Sequence, residues 1–321
     1  MVKIKSNIPI ARFSTFRIGN KAKYFCEVKN DTELLEAIIE AKELKVPYKI
    51  IAGGSNIVFP DQKLDYLLIR IKSNRLKVDG NKTIIDSGVP LSRVIAAACK
   101  RGLRGLETLS GIPGTLGGAI VGNAGAYGHS ISEIVERVEI FGPVRGREGS
   151  QRASASNGID GWKKYWLTNE ECKFQYRESI FKEKSFIVLR AALKFKKGDP
   201  RELQKISQDI IRVRLKKYKP GLRCPGSFFK NILVKDISKK SLNLVDKNKI
   251  IEGKIPAGYL LEQVGVKGMR LGGIYIADFH GNLLVNDGTA RAADVKKMAK
   301  ILKDRVKKRF EINLEEEIRY F

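Results

Sequence analysis

The feature that most constrains this chain is a glycine-rich stretch from Gly111 to Gly128, which reads GIPGTLGGAIVGNAGAYG. Its glycines and alanines, with no charged residue among them, let backbone N–H groups approach a flat or anionic ligand closely. No Gly-Lys-Ser/Thr follows, which excludes a P-loop, and a GxGxxG turn after a strand is missing, which excludes the Rossmann fingerprint. The stretch therefore predicts either a cofactor-binding site or a set of tight glycine turns in a β-domain.

A second glycine turn, Gly53-Gly54-Ser55-Asn56, follows the short apolar run from Tyr48 to Ala52. A glycine turn at the end of a strand is a candidate for pyrophosphate binding, because the backbone can come close to the phosphates. Alone, this signal is weak.

The composition indicates a folded protein of two domains, or three small ones. The chain has 321 residues, of which 43% are hydrophobic and 30% charged, as is typical of globular proteins. No run of about 20 apolar residues is present that could span a bilayer. The N-terminus, Met-Val-Lys-Ile-Lys, lacks the apolar core of a signal peptide, so we expect a cytoplasmic protein without membrane insertion.

Cysteine and histidine are too dispersed for a metal site. The chain has no CxxC pair, and metal ligation would need thiolates clustered with histidines. We therefore predict no bound metal and reduced, buried thiols. The residues concerned are Cys26, Cys99, Cys172, Cys224, His129 and His280.

A net charge of +26 raises the question of nucleic-acid binding. The basic residues recur along the whole chain from Lys3 to Arg319, and those near 296–309 fall on the solvated face of an apparent amphipathic helix. No RNP, KH or zinc signature is present. We favour a basic surface without a nucleic-acid partner, a field that would also suit a polyanionic substrate.

The order of predicted elements indicates an α+β fold with mixed sheets rather than a regular βαβ alternation. Gly198-Asp199-Pro200 is a plausible boundary, which divides the chain into 1–200, with lobes at about 1–71 and 72–200, and 201–321. The segment 142–158 has no periodicity and is rich in Gly, Ser, Arg and Ala, which predicts an exposed, mobile loop. Predicted helices begin after Asn30, span 91–100 and 201–217, and end near 309; predicted strands are 48–52, 67–71, 82–86, 135–141, 185–195 and 316–321.

Several motifs together resemble the UDP-N-acetylenolpyruvoylglucosamine reductases, over nearly the whole chain. The glycine stretch is shared in outline with other flavoproteins, but GSFFKN and YRxSxF in combination are specific to this family. The motifs are Thr15–Gly19 (TFRIG), Ala52–Asn56 (AGGSN), Gly105–Gly118 with Asn123–Gly128, Tyr176–Phe181 (YRESIF), Gly226–Asn231 (GSFFKN), Ala257–Gln263 (AGYLLEQ) with Val266–Gly268, and Leu314–Arg319.

The resemblance implies a two-lobed FAD-binding region of the PCMH/VAO type and a C-terminal α+β substrate-binding domain whose last strand returns to the active site. It implies NADPH-dependent reduction of UDP-N-acetylenolpyruvoylglucosamine to UDP-N-acetylmuramate through non-covalently bound FAD, in peptidoglycan precursor synthesis. We see no segment of the kind that supplies a tyrosine lid in one subgroup, so the other type is expected, as a monomer or weak oligomer.

The resemblance also assigns three catalytic residues. Hydride from flavin N5 would add to the terminal carbon of the enol ether, and Arg177 would hold the substrate carboxylate as charge develops there. Glu317 would act protonated, as a hydrogen-bond donor, and Ser227 would protonate the adjacent carbon.

The same carry-over assigns the binding residues. For FAD they are Gly53, Gly54, Ser55, Asn56, Ile57, Pro113, Gly114, Thr115, Gly117, Gly118, Asn123, Ala124, Gly125, Ala126 and Tyr127; for substrate they are Lys230, Asn231, Lys267 and His280.

The spacing of these residues alone does not distinguish a functional role from an ordinary structural one. Ser227 after a glycine is typical of a turn or cap, Arg177 of a salt bridge and Glu317 of a solvated charge. The chain also departs from the family at 223–225, before Ser227, and around His280. A rival flavin oxidase would tether FAD covalently, and His129 is the histidine near the glycine stretch.

Overall fold

The computed structural model describes residues 2–80, 82–143 and 161–321. Its contacts divide the chain into two discontinuous units, whereas the sequence suggested the continuous ranges 1–200 and 201–321. The difference arises because two N-terminal segments pack with the C-terminal part, and because most of the helix after Asp199 packs with the N-terminal part. Unit 1 comprises Met1–Ile8, Ala22–Gly53 and Asp65–Arg214, and unit 2 comprises Pro9–Lys21, Gly54–Leu64 and Leu215–Phe321.

Several helices begin where the sequence offers a capping side chain or a proline. Asn30 caps the first helix by accepting a hydrogen bond from Glu33 N, and Thr115 caps the third by accepting from Gly118 N. The described helices are α1 (Asp31–Glu43), α2 (Leu91–Lys100), α3 (Leu116–Val121), α4 (Ile180–Glu183), α5 (Pro200–Lys217), α6 (Lys239–Asn243), α7 (Ala257–Gln263) and α8 (Ala292–Phe310).

The strands are mostly short. They are β1 (Lys5–Pro9), β2 (Lys21–Val28), β3 (Tyr48–Ile51), β4 (Ile57–Val58), β5 (Leu64–Ile71), β6 (Leu76–Asp79), β7 (Lys82–Asp86), β8 (Leu103–Arg104), β9 (Gly125–Ala126), β10 (His129–Ser130), β11 (Val135–Pro143), β12 (Trp162–Thr168), β13 (Ile187–Lys194), β14 (Lys196–Lys197), β15 (Ile232–Leu233), β16 (Lys254–Ile255), β17 (Arg270–Leu271), β18 (Ile274–Ile276), β19 (Leu284–Asn286) and β20 (Arg319–Tyr320).

Unit 1 contains two larger sheets. One has the order β1-β2-β5-β3, with β3 parallel to β5. The other has the order β12-β11-β13-β7-β6, and each pair of neighbouring strands in it is antiparallel. Helices α2 and α3 bury their apolar residues in the core beside this second sheet, with Leu91, Leu116 and Ile120 fully enclosed. This packing fixes the glycine stretch at the edge of a rigid core.

Unit 2 is built around a small antiparallel sheet, β17-β18-β19, against which α7 and α8 pack. The apolar stripe of α8 is buried, as its spacing predicted, and includes Val295, Leu302 and Val306. The C-terminal strand β20 runs parallel to β4, with Arg319 beside Ile57 and Tyr320 beside Val58.

Predicted and observed elements agree closely for strand 82–86 and helix 91–100. The predicted loop 142–158 and the predicted strand 316–321 were each partly wrong. Gly142 and Pro143 belong to β11, paired with β12, rather than to a loop; the rest of the predicted loop, 144–158, lies outside the described residues. The predicted strand 316–321 is regular only at Arg319–Tyr320, because Glu316 is joined by a single bridge to Phe229.

All four cysteines are free and buried, as predicted. Burial, with the nearby charge of Glu27 and Glu33, raises the pKa of the Cys26 thiol to about 12. The pKa of Cys99 rises to about 11, mainly through burial. These thiols are therefore protonated and unreactive at neutral pH. No helix in the described ranges is long and apolar enough to cross a membrane.

Candidate functional site: two sets of residues

The two glycines that open α3 have different surroundings. A Cβ on Gly117 would lie 2.7 Å from Cβ of Ser87, so this glycine is required for packing. Gly118 is exposed, and the nearest atoms to a Cβ there are Thr115 Oγ1 at 3.8 Å and Ala52 Cβ at 4.0 Å. The backbone of α3 is therefore left uncovered at Gly118.

The two glycine turns of unit 1 touch each other directly. A Cβ on Gly53 would lie 2.6 Å from Gly114 Cα and 3.3 Å from Thr115 N. Gly114 adopts φ +117°, a conformation that side chains disfavour. Glycine at both positions brings the end of β3 against the start of α3.

The later part of the stretch forms a tight hairpin. Strands β9 and β10 pair Ala126 with His129, and the two connecting residues, Tyr127 and Gly128, have φ of 51° and 78°. Both angles suit a two-residue hairpin turn. The turn leaves Tyr127 53% exposed, while Nδ1 of His129 lies 2.9 Å from Glu133 Oε2.

Asn123 joins the glycine stretch to the turn that carries Arg177. Its side chain is 6% exposed; Nδ2 donates to Gln175 O at 2.7 Å and Oδ1 accepts from Ser132 N at 3.4 Å. Gln175 and Glu178 exchange two backbone hydrogen bonds of 3.0 Å. The side chain of Asn123 is thus committed to supporting this turn.

The Arg177 turn is held by further polar contacts. Ser179 Oγ donates to Val121 O at 2.7 Å, and Lys182 Nζ donates to Arg177 O at 2.5 Å. Arg177 itself has φ 59°, and its guanidinium carbon lies 5.6 Å from the centroid of the Tyr176 ring. Non-glycine residues in this region of φ are uncommon and often mark functional sites.

These features of unit 1 fit a flavin. The open face at Gly118 and the side-chain-free contact of Gly53 with Gly114 let a large planar or anionic group approach the backbone closely. The first N–H groups of α3 are already used: Leu116 N donates to Val89 O and Gly117 N to Ser87 O. The contribution of α3 is therefore an uncovered surface rather than a set of free donors.

In unit 2, the second half of the predicted pyrophosphate turn is supported by the TFRIG motif. Thr15 N donates to Gly54 O at 3.1 Å, and Thr15 Oγ1 donates to Ser55 O at 3.3 Å. Gly54 has φ +66°, and a Cβ there would lie 1.8 Å from Phe13 O. Asn56 Nδ2 donates to Glu317 O at 2.9 Å, and Ile57 lies in β4 beside Arg319.

Ser227 is presented by a short, anchored segment. Gly226 has φ +89°, which lets the chain turn, and the next two residues, Phe228 and Phe229, are fully buried with their rings 4.9 Å apart. Ser227 lies between Gly226 and Phe228 and is half-buried, and its Oγ is 3.5 Å from Tyr218 Oη. The anchor residues hold the backbone while the hydroxyl stays accessible.

Three of the predicted residues line one cavity of about 280 Å³: Ser227, Asn231 and His280. Asn231 Oδ1 also accepts from Ala257 N at 3.2 Å, at the start of α7. The other lining residues are Lys217, Pro256, Gly258, Tyr259, Glu262, Phe279 and Asn282.

The imidazole of His280 is neutral at physiological pH. Burial, reinforced by the positive charge of Lys217, lowers the pKa of His280 to about 4. Its Nδ1 accepts from Asn282 N at 3.1 Å, so the proton of the neutral ring is on Nε2. A Cβ on Gly258 would lie 2.6 Å from His280 Cε1, so the ring needs glycine at that position.

Glu262 braces the turn that contains His280. Its Oε1 accepts from Gly281 N at 3.0 Å, and Lys267 Nζ lies 2.9 Å from Oε2. Burial alone would raise the pKa of Glu262, but the Gly281 hydrogen bond and Lys267 outweigh it and lower the pKa. The carboxylate is therefore ionised.

Lys230 and Lys267, predicted to bind substrate, are not among the residues that line this cavity. The Lys230 side chain is only 9% exposed and forms an ion pair with Glu315. Lys267 is paired with Glu262 and is 41% exposed. Lys217, at the end of α5, is instead the lysine in the lining.

The C-terminal segment brings Glu317 beside the Ser227 segment. Glu317 N donates to Phe228 O at 2.8 Å, and Lys230 N donates to Glu315 O at 2.9 Å. On the other side, Arg319 N donates to Asn56 O at 3.0 Å. The backbone around Glu317 is thereby fixed between two segments of unit 2, and its side chain is half-buried.

Four cavity residues with clear roles were missed from the sequence: Gly258, Glu262, Asn282 and Lys217. Two of them, Gly258 and Glu262, belong to the AGYLLEQ motif, so their signal was available. Asn282 and Lys217 stand outside the motifs that carry the resemblance, and single polar residues of this kind have no spacing signal.

A model of an FAD-binding domain matches residues 22–144, a range that includes the glycine stretch with its open backbone. The chain is therefore an FAD-binding oxidoreductase with an α+β fold, and both predictions are confirmed.

The particular family follows from the remaining matches. A model described as UDP-N-acetylenolpyruvoylglucosamine reductase, C-terminal domain, matches residues 218–321. Reductases of this name from Solibacter usitatus and a Synechococcus strain are 38% and 33% identical, over 99% of this chain and 96% and 91% of theirs. The crystal structure of the enzyme from Thermus caldophilus has 27% identity and a TM-score of 0.74, covering 100% of both chains. The chain belongs to the UDP-N-acetylenolpyruvoylglucosamine reductase family.

Proposed function

We propose that the chain reduces the enolpyruvyl ether of UDP-N-acetylenolpyruvoylglucosamine to UDP-N-acetylmuramate, with NADPH as the source of electrons, in peptidoglycan precursor synthesis. The observation that supports this most strongly is the cavity of unit 2, into which Ser227, Asn231 and His280 converge. Family membership supplies the substrate class, since the relatives are named for this reaction.

FAD, when bound without a covalent link, would supply hydride to the terminal carbon of the substrate. The residues proposed to hold it are Gly53–Ile57, Pro113–Gly118 and Asn123–Tyr127. The exposed Gly118 and the Tyr127 turn suit contact with a planar group, whereas the side chain of Asn123 supports the Arg177 turn instead.

Three residues would handle the charge and the proton. The guanidinium of Arg177 would hold the substrate carboxylate and stabilise the enediolate as negative charge moves onto it. Ser227 Oγ–H would deliver its proton to the carbon that bears the ether oxygen. Glu317, in its protonated form, would donate a hydrogen bond to the same developing charge.

The neutral His280 adds a donor to the cavity through Nε2–H, without bringing a second positive charge beside Lys217. We propose that His280, Asn231 and Lys217 contact the polar or charged groups of the UDP-sugar. Lys230 and Lys267 are paired with Glu315 and Glu262. Each lysine would contact the substrate directly only after its ion pair opens on substrate binding. The cytoplasmic location and the monomeric or weakly oligomeric state stay predictions.

The direct test is NADPH oxidation with and without the enolpyruvyl UDP-sugar, with the product analysed by mass spectrometry. We expect oxidation that depends on the sugar, and a product heavier by two hydrogens. Acid precipitation should release free FAD into the supernatant. NADPH oxidation at the same rate with and without the sugar would contradict the proposal. Flavin retained in the pellet would favour a covalently flavinylated oxidase.

A further inference from the structure

Asn282 joins the segment that carries Ser227 to the turn that carries His280. Its side-chain amide pairs twice with the Phe229 backbone: Phe229 N donates to Oδ1, and Nδ2 donates to Phe229 O, both at 2.8 Å. Phe228 N also donates to Asn282 O at 3.1 Å. Since Phe228 follows Ser227 directly, these three bonds fix the backbone from which the serine hydroxyl extends.

The same residue orients the histidine. Asn282 N donates to His280 Nδ1 at 3.1 Å, which leaves the proton of the neutral ring on Nε2. Asn282 is 2% exposed, so its side-chain bonds to Phe229 form away from water, and their loss leaves buried polar groups unsatisfied next to the backbone N–H that holds His280. It also lines the cavity together with both of the residues it holds.

We propose that Asn282 is a positioning residue that sets the place of Ser227 Oγ and the orientation of the His280 ring in the cavity. This inference rests on the proposed role of Ser227 as proton donor. A catalytic group displaced by about 1 Å can lose on the order of 10²-fold in rate. The loss should therefore appear in the step that needs the proton rather than in flavin reduction.

The variant is Asn282→Asp, which keeps the shape and the acceptor but replaces the donor to Phe229 O with a second acceptor. Unit 2 offers a matched control in Asn286, which is 4% exposed. Asn286 Nδ2 donates to Phe16 O at 2.9 Å, and Oδ1 accepts from Gly288 N at 2.7 Å, but Asn286 is not among the cavity residues. Asn286→Asp should therefore lose stability to a similar degree without moving Ser227.

The measurement is the rate at which FAD-loaded, dithionite-reduced enzyme is reoxidised by saturating enolpyruvyl UDP-sugar under anaerobic conditions, with the melting temperature recorded for each protein. We expect Asn282→Asp to slow this rate about 10²-fold and Asn286→Asp to leave it near wild type at a comparable melting temperature. If Asn282→Asp does not fold, Asn282→Ser, which keeps a short donor, should show a smaller loss of the same step.

Equal reoxidation rates in the Asn282 and Asn286 variants, with wild type active, would overturn this inference alone. A wild-type enzyme that is not reoxidised by the sugar at all would overturn the proposed function, and the role of Asn282 with it.

Discussion

At the scale of single residues, the candidate catalytic side chains Ser227 and Arg177 are held in place by hydrogen bonds of neighbouring residues. Ser227 Oγ has a 3.5 Å contact with Tyr218 Oη, and the two residues after Ser227 are buried and hydrogen-bonded to Asn282 and to the C-terminal segment. The positive φ of Arg177 is supported through Asn123, Ser179 and Lys182. These two side chains are candidates for catalysis because hydrogen bonds fix the backbone from which they extend.

Glu317 can be tested by comparing the activities of its own variants with those of variants at the adjacent glutamates. If Glu317 donates a hydrogen bond in its protonated form, Glu317→Gln, which also donates, should retain far more activity than Glu317→Ala or Glu317→Asp. Steady-state kinetics of the three variants with the enolpyruvyl UDP-sugar measures this. An active Glu317→Ala enzyme would show that the residue is not catalytic.

The adjacent glutamates, Glu315 and Glu316, serve as controls, and each forms an ion pair. Glu315 forms an ion pair with Lys230, and Glu316 Oε1 lies 2.5 Å from Lys303 Nζ. Their Gln variants should lower stability by about 1 kcal/mol or less, with the smaller loss at Glu315 because its side chain is the more exposed, and should leave turnover largely intact. A large loss of turnover in Glu316→Gln would mean that the family's catalytic glutamate corresponds to Glu316 rather than to Glu317.

His280 predicts a pH dependence of stability. Its folded pKa of about 4 is below the ordinary value of 6.5, so between these values the unfolded chain binds a proton that the folded chain does not. Stability contributed by the neutral ring is thus complete above pH 6.5 and is lost as the pH falls towards 4. Other titrating groups near the ring are Lys217, Glu262 and Lys267.

The melting temperature of wild type should therefore fall more steeply from pH 6.5 to pH 4 than that of His280→Gln. His129→Gln, at an exposed histidine, is the matched control and should follow wild type. Identical slopes for wild type and His280→Gln would contradict the assignment of a buried neutral imidazole.

At the scale of elements, candidate site residues lie where elements start, end or turn. Gly118 is in the first turn of α3, Tyr127 is in the β9–β10 turn, and Asn231 directly precedes β15. The C-terminal segment is held by the Phe228 backbone and by β4, and its last ring, Phe321, packs 5.2 Å from Phe59. Regular elements provide the rigid support, and their ends carry the chemistry.

Helix α3 allows packing and cofactor binding to be separated with two adjacent glycines. Gly118→Ala meets no atom closer than 3.8 Å and replaces a helical glycine, so stability without cofactor should be unchanged or higher by up to about 1 kcal/mol. The added methyl covers the open backbone, so FAD affinity should fall. Gly117→Ala would clash with Ser87 at 2.7 Å and should destabilise the fold.

Fluorescence titration with FAD and thermal melting of the FAD-free proteins measure the two effects. FAD affinity unchanged in Gly118→Ala would argue that the flavin does not approach this face of α3.

At the scale of the whole molecule, the sequence predicted local elements and family much better than the division of the chain. Strand 82–86 and helix 91–100 were predicted because apolar periodicity is a local signal. The two units are discontinuous because residues 9–21 and 54–64 pack with residues distant in sequence, and no local pattern records such packing. Asn282 was missed for the same reason, since its importance depends on Phe229 and His280 in space.

Flavin binding is assigned mainly to the glycine turns, and proton donation to Ser227. A variant of Ser227 can therefore test whether flavin reduction and substrate reduction depend on different residues. The central measurement is stopped-flow absorbance of the flavin in Ser227→Ala, with reduction by NADPH and reoxidation by the enolpyruvyl UDP-sugar recorded separately. We predict that FAD is retained and reduced at nearly the wild-type rate, while reoxidation by the sugar slows by about 10² to 10⁴-fold, as expected for removal of a positioned acid. Equal slowing of both half-reactions, or reoxidation at the wild-type rate, would contradict the assignment of Ser227 as the proton donor.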